Sequence, residues 1–149
     1  ADIYCSHFVN GTYQQPENLG EAINTSFYET DPFVAPDESY LLFACTGRDD
    51  ALTGNGAIYP RGDIYISFKK DGKWKTAKNM GAPVNSGAEE SNPFVSADGK
   101  TLFFTSEINF VTMPMSKSFN YDDLENHLHS PANGLGDIYE IEFDKIIKQ

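Results

Sequence analysis

Residues 1–46 can be laid on residues 62–107 without a gap, an offset of 61, and fifteen of the 46 pairs are identical. Asp2-Ile3-Tyr4 falls on Asp63-Ile64-Tyr65, Asn10-Gly11 on Asp71-Gly72, and Asn18-Leu19-Gly20 on Asn79-Met80-Gly81. Asn24 falls on Asn85, Glu29 on Glu90, and Pro32-Phe33-Val34 on Pro93-Phe94-Val95. The tripeptide Asp-Ile-Tyr returns a third time at Asp137-Ile138-Tyr139. A long-period internal repeat restricts a chain to a solenoid, a propeller or an array, because each unit buries its apolar face only against its neighbours.

Local signals choose among these. In DIYISFKKDGKW, two β-rich runs flank Asp71-Gly72; Asn-Gly and Asp-Gly suit a type I′ hairpin, which needs positive φ at both central residues. NPFVSADGKTLFFTS reads as a second hairpin, turning at Ala97-Asp98-Gly99, and DPFVAPDESYLLFAC matches it. One repeat therefore holds four short strands: A near Phe94, B near Phe103, C near Tyr65 and D near Trp74. Helical periodicity is absent from the repeat, and so is the Leu/Asn ladder of a leucine-rich solenoid. A tandem four-stranded antiparallel unit is a propeller blade. Eleven Phe, eight Tyr and one Trp supply apolar bulk for packing such blades face to face. The expected fold class is all-β, with about two and a half blades ordered C-D, A-B-C-D, A-B-C. Residues 1–26 end one blade. Residues 27–86 form a complete blade with an inserted loop at 47–62, and residues 87–149 form the last, with a loop at 107–136.

EESNPFVSADGKTLFFTS followed by GDIYISFKKDGKWKTAKNMGAPVNS resembles the TolB-like, Pro-Asp type of WD-like β-propeller repeat. ETDPFVAPDESYLLFACTGR carries the same pattern, including the Pro36-Asp37 turn; Ala97 stands where the second repeat would have the Pro. The resemblance implies the C-terminal portion of a usually six-bladed bacterial propeller, and a periplasmic or extracellular location. It also implies that the remaining blades come from a further N-terminal part of the same protein or from another chain. Open strand edges and bare apolar blade faces would otherwise meet water.

The formal net charge of -11 argues against nucleic acid as a partner, since phosphate binding needs a basic surface. No apolar run approaches the roughly 20 residues of a membrane-spanning helix. Cys5 and Cys45 are too few for a disulfide framework and read as two small residues buried in strands. The sequence contains no GxSxG elbow, Walker loop, HExxH or GxGxxG.

Function is expected where the B–C and D–A connections of a propeller leave on one face. Asp49, Asp50 and Asn55 in the first inserted loop offer oxygens suited to calcium, although their spacing fits no EF-hand. In the second loop NYDDLENHLHS reads as one short helical turn. His127 and His129 there, near Asp122 and Asp123, raise zinc, but an i, i+2 pair on a helix points to different sides. Glu29, Asp31, Glu90 and Asn92 precede or begin strand A, and Arg48 follows strand B. Either these groups hold the scaffold, each Glu bonding the backbone of the adjacent blade, or they face a cationic or hydroxyl-rich ligand. The Asp that opens strand C is expected to accept backbone N–H groups of the loop entering it. No cofactor is expected, calcium being the one ion the loop could take. The function these features suggest is a non-catalytic binding or scaffold propeller for a peptide, protein or saccharide. The alternative is a glycan-cleaving propeller that uses paired carboxylates.

Overall fold

The computed structural model describes residues 1–52, 61–109 and 118–147. Twelve strands and two helices follow in chain order: β1 (Tyr4–Cys5), β2 (Phe8–Val9), β3 (Thr12–Tyr13), β4 (Glu17–Asn18), β5 (Tyr28–Val34), β6 (Tyr40–Thr46), β7 (Gly62–Lys70), β8 (Lys73–Trp74), β9 (Lys78–Asn79), β10 (Glu90–Val95), β11 (Thr101–Ser106), α1 (Tyr121–Leu128), β12 (Asp137–Glu142) and α2 (Phe143–Ile146). The class is all-β, and every strand pairing among the described residues is antiparallel.

The repeat in sequence is a repeat in register. In the first unit Tyr4 pairs Asn18 and Phe8 pairs Tyr13; in the second, Tyr65 pairs Asn79 and Lys69 pairs Trp74. The middle sheet runs β5-β6-β7 with β8 and β9 on its outer edge, and the last runs β10-β11-β12. Both hairpin turns expected from Asn-Gly and Asp-Gly are present, with φ of 51° and 80° at Asn10-Gly11 and 53° and 73° at Asp71-Gly72. These are the left-handed values that a type I′ turn demands.

Period-2 alternation along β6 and β7 divides the core in two. Leu41, Phe43, Cys45 and Tyr65 project toward the first unit and cluster with Ile3 and Ile23. Leu42, Ile64 and Ile66 project the other way, onto Val95, Leu102 and Phe104. Thus Ile64 and Tyr65, adjacent in sequence, serve opposite interfaces, and each is 0% exposed. Fully burying one such side chain contributes roughly 1.5–3 kcal/mol. Helix α2 closes one end of the second cluster. Phe143 is buried and its ring lies 5.3 Å from that of Tyr40, while its N–H donates to the Lys100 carbonyl.

Two surfaces of the stack are bare. Tyr4 occupies the position of Tyr65 but is 56% exposed, and Phe8, Val9 and Tyr13 lie exposed beside it on the first unit. Ile138 occupies the position of Ile64 and is 80% exposed. Cys5, expected to be buried, is exposed, whereas Cys45 is buried. The difference is one of neighbours: strand β6 is sandwiched between two units, and β1 has a partner sheet on one side only.

Candidate functional site

The backbone sets the site's position. Thr46 at the end of β6 pairs Tyr28 at the start of β5, and Ser106 at the end of β11 pairs Glu90 at the start of β10. The long connections after β6 and β11 therefore leave from the same edge of each sheet at which β5 and β10 begin. Glu29 and Asp31 in the first half of β5, and Glu90 and Asn92 in the first half of β10, lie toward that edge.

The connectors are held there by a polar clamp that occurs twice. Asn24 Oδ1 accepts from the Ile3 N–H at 2.8 Å, and its Nδ2 donates to the Ile3 carbonyl at 2.9 Å and to Asn18 Oδ1 at 2.8 Å. Asn85 makes the same three bonds, each 2.8 Å, to Ile64 and Asn79. Asn18 and Asn79 in turn accept from the N–H groups of Gly20 and Gly81. A single amide side chain thus pairs with both polar groups of a buried residue, whose carbonyl also accepts from the Leu19 or Met80 N–H.

Glu29 and Glu90 belong to the same scaffold. The Glu29 carboxylate accepts from the Thr25 N–H, from the Thr25 hydroxyl and from the Cys45 thiol. Glu90 accepts from the Ser86 N–H, the Ser86 hydroxyl and, at 2.6 Å, the Ser106 hydroxyl. Both are buried, at 2% and 0% exposure. Thr25 and Ser86 end the units 1–26 and 27–86, so each Glu bonds the backbone of the unit before it, as the sequence suggested, and also the next strand of its own sheet. Their carboxylates are engaged inside the fold rather than presented at the surface. Burial and the Glu29 carboxylate push the Cys45 thiol up to about 12, so it stays protonated and donates.

The Asp that opens strand C behaves as its sequence position implied. Asp63 Oδ2 accepts from the Leu52 N–H at 2.7 Å and from Asn79 Nδ2 at 2.5 Å. Asp137 Oδ2 accepts from the Ala132 N–H at 2.8 Å. Burial raises Asp63 above the usual carboxylate range, opposed by those two hydrogen bonds. Over Asp63 the loop lays a small cap. The Arg48 guanidinium stacks on the Tyr65 ring 4.4 Å from its centroid, and Tyr65 donates its hydroxyl proton to Asp50 Oδ1 at 2.9 Å. Arg48 Nε lies 3.6 Å from the same oxygen, and Asn79 Nδ2 donates to the Asp50 carbonyl at 3.0 Å. Arg48 Nη1 is buried with no hydrogen-bond partner among the described residues. The sequence placed Arg48 correctly at the strand exit but gave no sign of the ring beneath it, because Tyr65 is 17 residues away.

Asp31 and Asn92 are exposed at matching bulges in β5 and β10, each with φ of 51°. Asp and Asn are the non-Gly residues that tolerate this left-handed conformation, which gives both positions a backbone reason for their identity. Asp49 is exposed and Asp50 is taken up by Tyr65 and Arg48, while Asn55 lies outside the described residues. Among the described residues no three His, Cys, Asp or Glu side chains gather as a metal-holding group. The segment expected to form one turn is an eight-residue helix, α1, whose Asn120 side chain caps the Asp123 N–H at 2.8 Å. His127 on it packs its ring 5.4 Å from that of Phe119, and His129 is the C-terminal cap. Among the described residues no helix is long and apolar enough to cross a membrane. No protein-family model matches the chain, and neither a curated protein nor a solved structure is significantly similar to it.

Proposed function

We propose that this chain is part of a TolB-like β-propeller and serves as a non-catalytic binding or scaffold module. The ligand is a peptide, protein or saccharide that docks on the edge where the inserted loops emerge. The observation that carries the reading is that both long connections and both strand-A bulges lie toward the same edge of their antiparallel sheets. Loops on a rigid sheet scaffold are where such folds place recognition. With both glutamates engaged, the exposed Asp31 and Asn92 are polar groups offered there beside the Arg48 cap, a set that suits hydrogen-bonded recognition better than paired-carboxylate hydrolysis. The bare faces around Tyr4 and Ile138 support further blades on either side, since their counterparts Tyr65 and Ile64 are fully covered by neighbours. A periplasmic or extracellular setting accompanies this reading.

The test is a combined glycan and peptide array probed with the chain, followed by titration of any hit against Arg48→Ala and the double variant Asp31→Ala/Asn92→Ala. Binding weakened at least about tenfold in either variant, without loss of folding, supports the site. Hits that both variants bind unchanged place recognition elsewhere. Release of reducing ends from an arrayed glycan overturns the non-catalytic assignment.

A further inference from the structure

Helix α1 carries its apolar residues on the side that faces solvent. A helix turns about 100° per residue, so Tyr121, Leu124 and Leu128 fall within an arc of about 60°. All three are exposed, and α1 has no buried residue. Its two half-buried positions are polar ones, Asp123 and His127, and His127 packs against the Phe119 ring. An amphipathic surface helix ordinarily turns the other way, with its apolar stripe to the core. Leu135, also exposed, lies beside the C-terminal end of the stripe. Asn133 holds it there: its Nδ2 donates to the Leu128 carbonyl and its Oδ1 accepts from the Leu135 N–H, each at 2.8 Å. The platform is fixed to the rest of the fold. The Gly134 N–H donates to the Ile108 carbonyl at 3.1 Å, Asp137 holds the Ala132 N–H, and Asn120 caps the other end of the helix.

The surroundings of the stripe are acidic. Residues 118–136 hold Asp122, Asp123 and Glu125 and no Lys or Arg, in a chain of formal net charge -11. Glu125 and Asp122 border one side of the stripe, about 40° and about 100° around the helix from Tyr121. We propose that this stripe is the docking surface for a basic amphipathic helical segment of a partner protein. The segment's apolar residues, spaced i, i+3 and i+7, pack on Tyr121, Leu124, Leu128 and Leu135. Its lysines or arginines lie along one border and meet Glu125 and Asp122, a match that sets orientation and speeds encounter. A second copy of this chain would instead set acid against acid. The surface goes beyond the loop-edge reading above. It uses none of Arg48, Asp31 and Asn92 and needs no further blade, so an empty array result leaves it standing.

The probe is a synthetic peptide of about 15 residues that repeats Lys-Leu-Leu-Lys-Lys-Leu-Lys, long enough to form a helix once docked. It is titrated into the ¹⁵N-labelled full chain, beside a peptide of the same composition in scrambled order and one with every Lys replaced by Glu. Saturable shifts should concentrate on the amides of residues 120–129 and Leu135. The scrambled and acidic peptides, and the chain carrying Leu124→Ser/Leu128→Ser, should each show binding at least about tenfold weaker. Both leucines are exposed, so the double variant keeps the fold, and an unchanged spectrum outside α1 verifies it. The proposal falls if the peptide produces no saturable shift up to about 1 mM. It falls if the scrambled peptide, or the double variant, binds equally well, since the attraction is then one of charge to the whole acidic chain. Equal binding of the acidic peptide rules out a basic partner. Self-association of the chain alone that the double variant abolishes also overturns it, since a second copy is then the occupant.

Discussion

Asn85→Ala isolates the interaction that ties each connector to its strand. Asn85 is 2% exposed and makes three hydrogen bonds of 2.8 Å, two to the backbone of Ile64 and one to Asn79 Oδ1. The Ile64 carbonyl keeps a second donor, the Met80 N–H at 3.0 Å, but the buried Ile64 N–H has no substitute. An orphaned buried donor costs about 1–3 kcal/mol, and each of the other two lost bonds about 0.5–1.5 kcal/mol net. The sum is about 2–6 kcal/mol, a large share of the roughly 5–15 kcal/mol that holds a domain together. With a urea m-value near 2 kcal/mol/M, the unfolding midpoint should fall by about 1–3 M at unchanged m. Circular dichroism at fixed protein concentration reads this directly. Asn79→Ala should couple to it by at least about 0.5 kcal/mol in a double-mutant cycle, because the two side chains share a bond. A loss below about 1 kcal/mol for Asn85→Ala would refute the clamp as a determinant of stability, whatever its geometry.

Gly72→Val should destabilise by about 1–2 kcal/mol. Nothing lies within 4 Å of the added Cβ, so the whole cost is the left-handed φ of 73°, and a normal urea midpoint would contradict this. Glu38 sits at φ 57° in the turn where the other repeat has Gly99 at 73°, so Glu38→Gly should stabilise by about 0.5–1 kcal/mol despite losing its ion pair with Lys69; a lowered thermal midpoint would argue otherwise. The buried Cys45 thiol has its pKa raised from 9.0 to about 12, so its contribution to stability is whole below pH 9 and is lost as pH rises through about 12. Cys45→Ser, which copies Ser106 and its bond to Glu90, should remove that alkaline loss, and Ellman's reagent should titrate one thiol in the native protein and two in denaturant.

What the amino-acid sequence determined by itself was whatever adjacent residues decide. Asn10-Gly11 and Asp71-Gly72 impose their turns because few other residues accept positive φ at two successive positions. Those turns, with alternation along the strands and the offset of 61, made the strand order readable before any contact was known. Asp63 and Asp137, at the heads of their Asp-Ile-Tyr strands, were legible for the same reason, since each accepts a loop N–H that arrives beside it. The tertiary structure decided everything that depends on which sheet lies opposite. Cys5 and Cys45 are alike in sequence terms, yet one is exposed and the other buried and bonded to Glu29. Tyr4 and Tyr65 share the same tripeptide, yet only Tyr65 lies under an arginine. Glu29 and Glu90, which the sequence left as either scaffold or ligand-facing groups, are interior acceptors because Thr25, Cys45, Ser86 and Ser106 converge on them. Backbone preference is local and can be read along the chain. Burial and hydrogen-bond partnership are pairwise across space, and a strand acquires them only from its neighbours.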